Sequence, residues 1–163
     1  YLSWKARQFG QPTQFIELAG QINTAMPDHV VSVLAASLES NFSKSLSGTK
    51  VLLVGVAYKR NVDDVRESPA FRLIEILENG GATVEFYDPY VDRIPKMRKH
   101  DSLAGRSSVP WDPIAFAVYD VALICTDHSD VDYAALVEAV PLVIDTRNAT
   151  AHIVNDRHKI VKA

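Results

Sequence analysis

This sequence is short of the residues on which several kinds of chemistry depend. It has one cysteine, Cys125, so no internal disulfide can form, and that usage fits a reducing cytoplasm. Its 7 glycines are scattered. None builds the G-x-G-x-x-G of a dinucleotide fingerprint or the G-x-x-x-x-G-K-[ST] of a P-loop. No apolar run is long enough to span a bilayer and nothing resembles a signal peptide, so no membrane partner is expected. A basic stripe is missing too, and the net charge of -3 argues against nucleic acid as a partner. The histidines at 29, 100, 128, 152 and 158 lack metal-ligand spacing, so no metal is expected. What is present is an ordinary globular composition, 47% hydrophobic and 23% charged. At 163 residues the chain can bury a real core.

Two patterns divide the chain. Between Phe15 and Phe42, apolar residues recur at Phe15, Leu18, Ile22, Met26, Val30, Leu34 and Leu38. Steps of three or four mark one helical face. Pro27 falls inside this stretch, which predicts either a kink or two helices meeting there. Ala19, Gly20, Ala25, Ala35 and Ala36 would allow close helix packing. A serine-rich linker runs from Ser43 to Thr49. We therefore expect a helical segment over 1–46 and an α/β domain over 47–163.

From Lys50 on, strand and helix patterns alternate. Strands are expected at Val51–Val56, Thr83–Tyr87, Val121–Thr126 and Leu142–Asp145, with Ile160-Val161 as an edge strand. Helices are expected at Pro69–Asn79, Pro113–Ala117 and Tyr133–Ala139. Ser68 suits the first helix as N-cap, Pro69 as its opening residue, and Gly80-Gly81 as its end. The alternation predicts a Rossmann-like parallel sheet with flanking helices, preceded by a long-helix segment. Residues 93–108 show no period and read as an exposed connection.

The first strand runs into Gly55-Val56-Ala57-Tyr58-Lys59-Arg60-Asn61-Val62-Asp63-Asp64-Val65-Arg66-Glu67-Ser68-Pro69-Ala70. A strand followed by a loop and then a helix puts this loop at the carboxyl end of the strand, where open α/β sheets bind ligands. Lys59, Arg60 and Arg66 suit an anion held by side chains as well as by a helix N-terminus. A lysine is a mobile point charge, whereas an arginine can grip a phosphate with two parallel bonds. A plain surface reading pairs both Lys59 and Arg66 with Asp63, Asp64 and Glu67.

The pattern G-x-A-Y-K-x-x-x-D-D-x-R-E-S-P resembles the signature of the C-terminal domain of UDP-glucose/GDP-mannose dehydrogenases. Tyr1-Leu2-Ser3-Trp4-Lys5-Ala6, Ile22-Asn23-Thr24-Ala25-Met26-Pro27, Tyr87-Asp88-Pro89-Tyr90 and Asp145-Thr146-Arg147-Asn148 agree, in the same order. The branch most resembled oxidises UDP-N-acetylhexosamines to uronic acids with two NAD. The resemblance implies that Lys59 contacts the nucleotide sugar and that Arg66 reaches the NAD pyrophosphate. It also places Arg147 near the active-site cleft and the helical segment in a homodimer core. Tyr58 could face the uracil or the sugar. The family's NAD-binding domain and catalytic cysteine would precede Tyr1. The chain is therefore expected to be part of a longer cytoplasmic enzyme of polysaccharide synthesis, with no catalytic residue of its own and no activity alone.

Other residues carry competing readings. Tyr58 could be an ordinary aromatic at a strand end, and Arg147 could pair with Asp145. Asp88 sits where a Rossmann domain keeps its ribose-binding acid, but without the glycine fingerprint it reads as a turn residue. Cys125 reads as a small buried hydrophobe. Asp127-His128 reads as capping or surface residues. Tyr1 is placed closest to the cleft, with Trp4, Lys5 and Arg7 near it, although Trp4 and Phe9 are expected to pack beneath the second helix. Two rival functions remain: a stand-alone nucleotide-binding module, and a structural module whose helices dimerise and whose charged loop is merely solvated.

Overall fold

The computed structural model describes residues 2–163, the side chains of Leu2, Ser3 and Arg7 excepted. Two helices come first, α1 (Leu2–Gln8) and α2 (Gln14–Phe42). Then β1 (Lys50–Val54), α3 (Ala70–Asn79), β2 (Thr83–Tyr87), β3 (Val121–Ile124), α4 (Tyr133–Ala139), β4 (Val143–Asp145) and β5 (Ile160–Lys162) follow. The strands form one sheet in the order β2-β1-β3-β4-β5, and every neighbouring pair is parallel. This is the expected Rossmann-like arrangement.

Val51, Leu52, Leu53 and Val54 are all fully buried, as a strand covered on both faces requires. Val51 and Leu53 join one apolar cluster with α2 and α3, and Leu52 and Val54 join another with α4. Helix α3 starts one residue later than expected, with Pro69 rather than Ser68 at its N-cap. The Ala70 N–H donates to Ser68 Oγ (3.3 Å), and Pro69 already has helical angles. The segment 113–117, expected as a helix, tightens instead into a 3₁₀ turn at Ala115–Val118.

Pro27 does not split α2, which continues through it as one helix. Its apolar stripe has two fates. Val30, Leu34 and Leu38 sink into the core beside α3, whereas Phe15, Leu18, Ile22 and Met26 are exposed. Trp4 and Phe9, expected beneath α2, are exposed as well. Tyr1 and the Arg7 side chain lie outside the described residues.

The 93–108 connection differs from its expectation. Ile94 and Leu103 are buried in the core, and the Arg106 guanidinium donates to both carboxylate oxygens of Glu78 on α3. Apolar residues without a regular period can still be buried when ion pairs hold the chain against a helix.

Candidate functional site

In a sheet of order 2-1-3-4-5 the strand order reverses between β1 and β3, and the crevice at that switch point is the usual ligand position. Here the β1 loop, residues 55–68, lies over that crevice. Gly55 starts it with φ +85, and a Cβ there would lie 2.4 Å from the Thr126 carbonyl oxygen. Thr126 Oγ1 donates to the Ala57 carbonyl (2.6 Å), and the Tyr58 N–H donates to Asp64 O (2.7 Å), which closes the loop on itself.

Asp88, at the end of β2, holds the start of this loop. Its Oδ2 accepts from the Val56 and Ala57 N–H groups (2.7 and 3.0 Å). Its Oδ1 accepts from Tyr90 and Val91 N–H (2.9 and 3.2 Å). Burial alone would raise its pKa, but bonds from His128 and the Tyr90 and Ala57 backbone outweigh that and lower it. Asp88 is thus a turn residue that also builds the loop.

His128 is buried, which corrects the surface expectation, and it faces Asp88 rather than Asp127. Asp127 instead lies between Arg60 (3.6 Å) and Arg147 (3.8 Å). The Arg147 side chain therefore pairs with Asp127 and not with Asp145. Asp145 receives only the backbone N–H of Arg147, at 2.9 Å.

Tyr58 and Arg147 line one cleft of about 500 Å³ with Glu67, Cys125, Thr146 and the α2 residues Asn23, Met26, Pro27 and Val30. Tyr58 is half exposed, and Lys59 Nζ sits 5.6 Å from its ring centroid. Among the described residues Lys59 forms no ion pair, and it follows Tyr58 directly in the loop. Arg66 is placed apart from this lining. Its Nε and Nη2 donate to Asp64 Oδ1 and Oδ2 (2.9 and 2.8 Å), and its side chain is 85% exposed. These bonds are the main cause of Asp64's lowered pKa, about 2. Cys125 touches the cleft, but burial pushes its thiol up to about 12, so it is no nucleophile near neutral pH.

The sequence reads Asp88 as a turn residue and His128 as a capping or surface residue and gives Asn61 no role, so their joint network is not foreseen. Asp88 and His128 are 40 residues apart and meet only because β2 and β3 flank β1. One signal was available: a polar residue just past a strand beside β1 lies next to the β1 loop and can bond it.

This is a doubly wound parallel α/β domain with a charged loop and a cleft at its switch point, the architecture of nucleotide-binding domains. Residues 52–152 match the UDP-binding domain of the UDP-glucose/GDP-mannose dehydrogenase family, and the chain belongs to that family. Over 138 residues, 82% of the chain, it is 32% identical to a UDP-N-acetyl-D-mannosamine dehydrogenase of Pyrococcus horikoshii. It is 30% identical over 150 residues, 88% of the chain, to a UDP-glucose 6-dehydrogenase of Bacillus subtilis. The chain spans 29% and 30% of the lengths of these two relatives. The solved UDP-D-ManNAc dehydrogenase of P. horikoshii superposes on 90% of the chain with a TM-score of 0.69 and 27% identity, and the match takes in 32% of that structure.

Proposed function

We propose that this chain is the UDP-sugar-binding part of an NAD-dependent nucleotide-sugar 6-dehydrogenase acting on a UDP-N-acetylhexosamine. The observation that carries the reading is the cleft that joins Tyr58 and Arg147, with Lys59 Nζ 5.6 Å from the Tyr58 ring centroid. Tyr58 offers a ring face to a base or sugar, and Lys59 and Arg147 offer charge to a diphosphate. Asn23 and Met26 supply the opposite wall from α2. Residues 1–46 act as the dimerising segment and 47–163 as the ligand-binding domain.

Arg66 is the one residue here assigned to NAD. An exposed guanidinium fixed by Asp64 suits a single contact to a pyrophosphate, and the β1 loop has too few glycines to hold the dinucleotide itself. The rest of that site belongs to the preceding domain. NAD would supply the hydride acceptor, twice per sugar, as the C6 alcohol becomes a carboxylate with water as the oxygen source.

The test is NADH formation by the longer protein that contains this chain, with UDP-N-acetylglucosamine, UDP-N-acetylmannosamine, UDP-glucose and GDP-mannose offered separately. Two NADH per sugar are expected with a UDP-N-acetylhexosamine. No NADH with any of the four, from folded protein, dismisses the dehydrogenase reading. The bidentate Asp64–Arg66 pair favours a second reading, in which the loop is structural. Unchanged UDP binding after Lys59→Ala with Arg66→Ala would support it.

A further inference from the structure

We propose that His128, itself held by Asp88, is a positioning residue that keeps the β1 loop in its nucleotide-facing conformation. The inference rests on the reading of that loop as nucleotide-binding. The Asn61 backbone N–H donates to His128 Nδ1 at 3.0 Å, so Nδ1 carries no hydrogen and the ring proton is on Nε2. Nε2 then donates to Asp88 Oδ2 at 3.2 Å, the same oxygen that accepts from Val56 and Ala57. One buried carboxylate thus fixes the first residues of the loop, and the ring extends that hold to its middle.

Asn61 needs such a hold. It has a left-handed backbone, φ 59, a conformation uncommon outside glycine although asparagine tolerates it better than most residues. Its side chain joins the same restraint: Oδ1 accepts from the Ser129 N–H and Nδ2 donates to Ser129 Oγ, both at 2.8 Å. Lys59 lies two residues before Asn61 and Tyr58 three. Tyr90 closes the other side of the imidazole, with ring centroids 5.1 Å apart. Removing the acceptor at Nδ1 would leave the Asn61 N–H unpaired and free the segment that carries Lys59.

Two substitutions separate the two ring nitrogens. His128→Gln places an amide near Nε2, where it can still bond Asp88, but offers nothing to Asn61. His128→Asn places its amide oxygen near Nδ1 and keeps the Asn61 bond. Each variant of the chain would be titrated with UDP by NMR while amide exchange is followed at Asn61. His128→Gln should weaken UDP binding about tenfold and speed Asn61 exchange, and His128→Asn should stay near the wild type in both. Equal UDP affinities for the two variants, or faster Asn61 exchange with unchanged affinity, overturn the inference alone. Should His128→Gln not fold, the wild-type ring nitrogens decide: a proton on Nδ1 in the ¹⁵N spectrum also overturns it. No UDP binding by the wild type, or binding unaffected by Lys59→Ala, removes the nucleotide reading itself and this inference with it.

Discussion

Asp145 shows how much one side chain can settle in this domain. Its side chain is fully buried at the end of β4. It accepts from the Arg147, Ala149 and Thr150 N–H groups, the Thr150 hydroxyl and the Lys162 ammonium. Burial works to raise its pKa, but the Thr150 and Lys162 bonds and the backbone donors win and hold it at about 2, against an ordinary 3.8. A depressed folded value means that its stabilisation is complete above the unfolded pKa and is lost as pH falls through the folded one. The window is therefore about pH 4 down to about pH 2, and the amount is about 2 kcal/mol. Asp145→Asn should lower stability by about that much at neutral pH, and the gap from wild type should close across this window. Urea unfolding at several pH values checks it. A gap that does not change with pH would mean that the carboxylate's charge contributes nothing. The same cluster holds the backbone of Arg147, so the strand end where we propose that substrate binds is braced by a buried carboxylate.

At the scale of elements, the β1 loop depends on a glycine for two separate reasons. Gly55 has φ +85, and an added Cβ would meet Thr126 O at 2.4 Å and Thr126 Cβ at 2.7 Å. Gly105 has φ +83, but no atom lies within 4 Å of its would-be Cβ. Gly105→Ala should therefore cost about 1 kcal/mol from backbone strain alone. Gly55→Ala should cost at least about 3 kcal/mol, because β1 and β3 would have to part. Denaturant midpoints of the two variants compare strain with strain plus collision, and equal losses would exclude the collision. The sheet was legible in the sequence because β1 and β3 are unbroken apolar runs and because Ser68, Pro69 and the Gly80 pair punctuate α3. The 93–108 connection was not, since its few buried residues, Ile94 and Leu103, follow no period. The candidate site was half legible. Tyr58 and Arg147 sit just past strands, where position alone marks them, but the Asp88–His128–Asn61 network exists only once three strand ends are brought together.

For the whole molecule, the unsettled surface is the first half of α2. Phe15 is 89% exposed, Leu18 and Ile22 are each 52%, and Met26 is 39%. These residues continue the stripe that Val30, Leu34 and Leu38 bury against the core, so the helix presents one apolar face of which only the second half is covered. From Phe15 to Met26 the uncovered part is about 17 Å long at the rise of an α-helix. Contiguous exposed apolar surface of this kind marks an interaction site more often than a free surface. We propose that a second copy of the chain covers it, as the resemblance of this segment to a dimer core implies. Leu18→Glu with Ile22→Glu would place two carboxylates on the shared face. These two side chains take no part in the buried core, so the α/β domain should keep its unfolding midpoint. Sedimentation velocity should then show a dimer for the wild type and a monomer for the double variant. A wild type that stays monomeric across the concentration range would overturn the proposal that a second copy covers the face. A double variant that stays dimeric would move the interface away from α2.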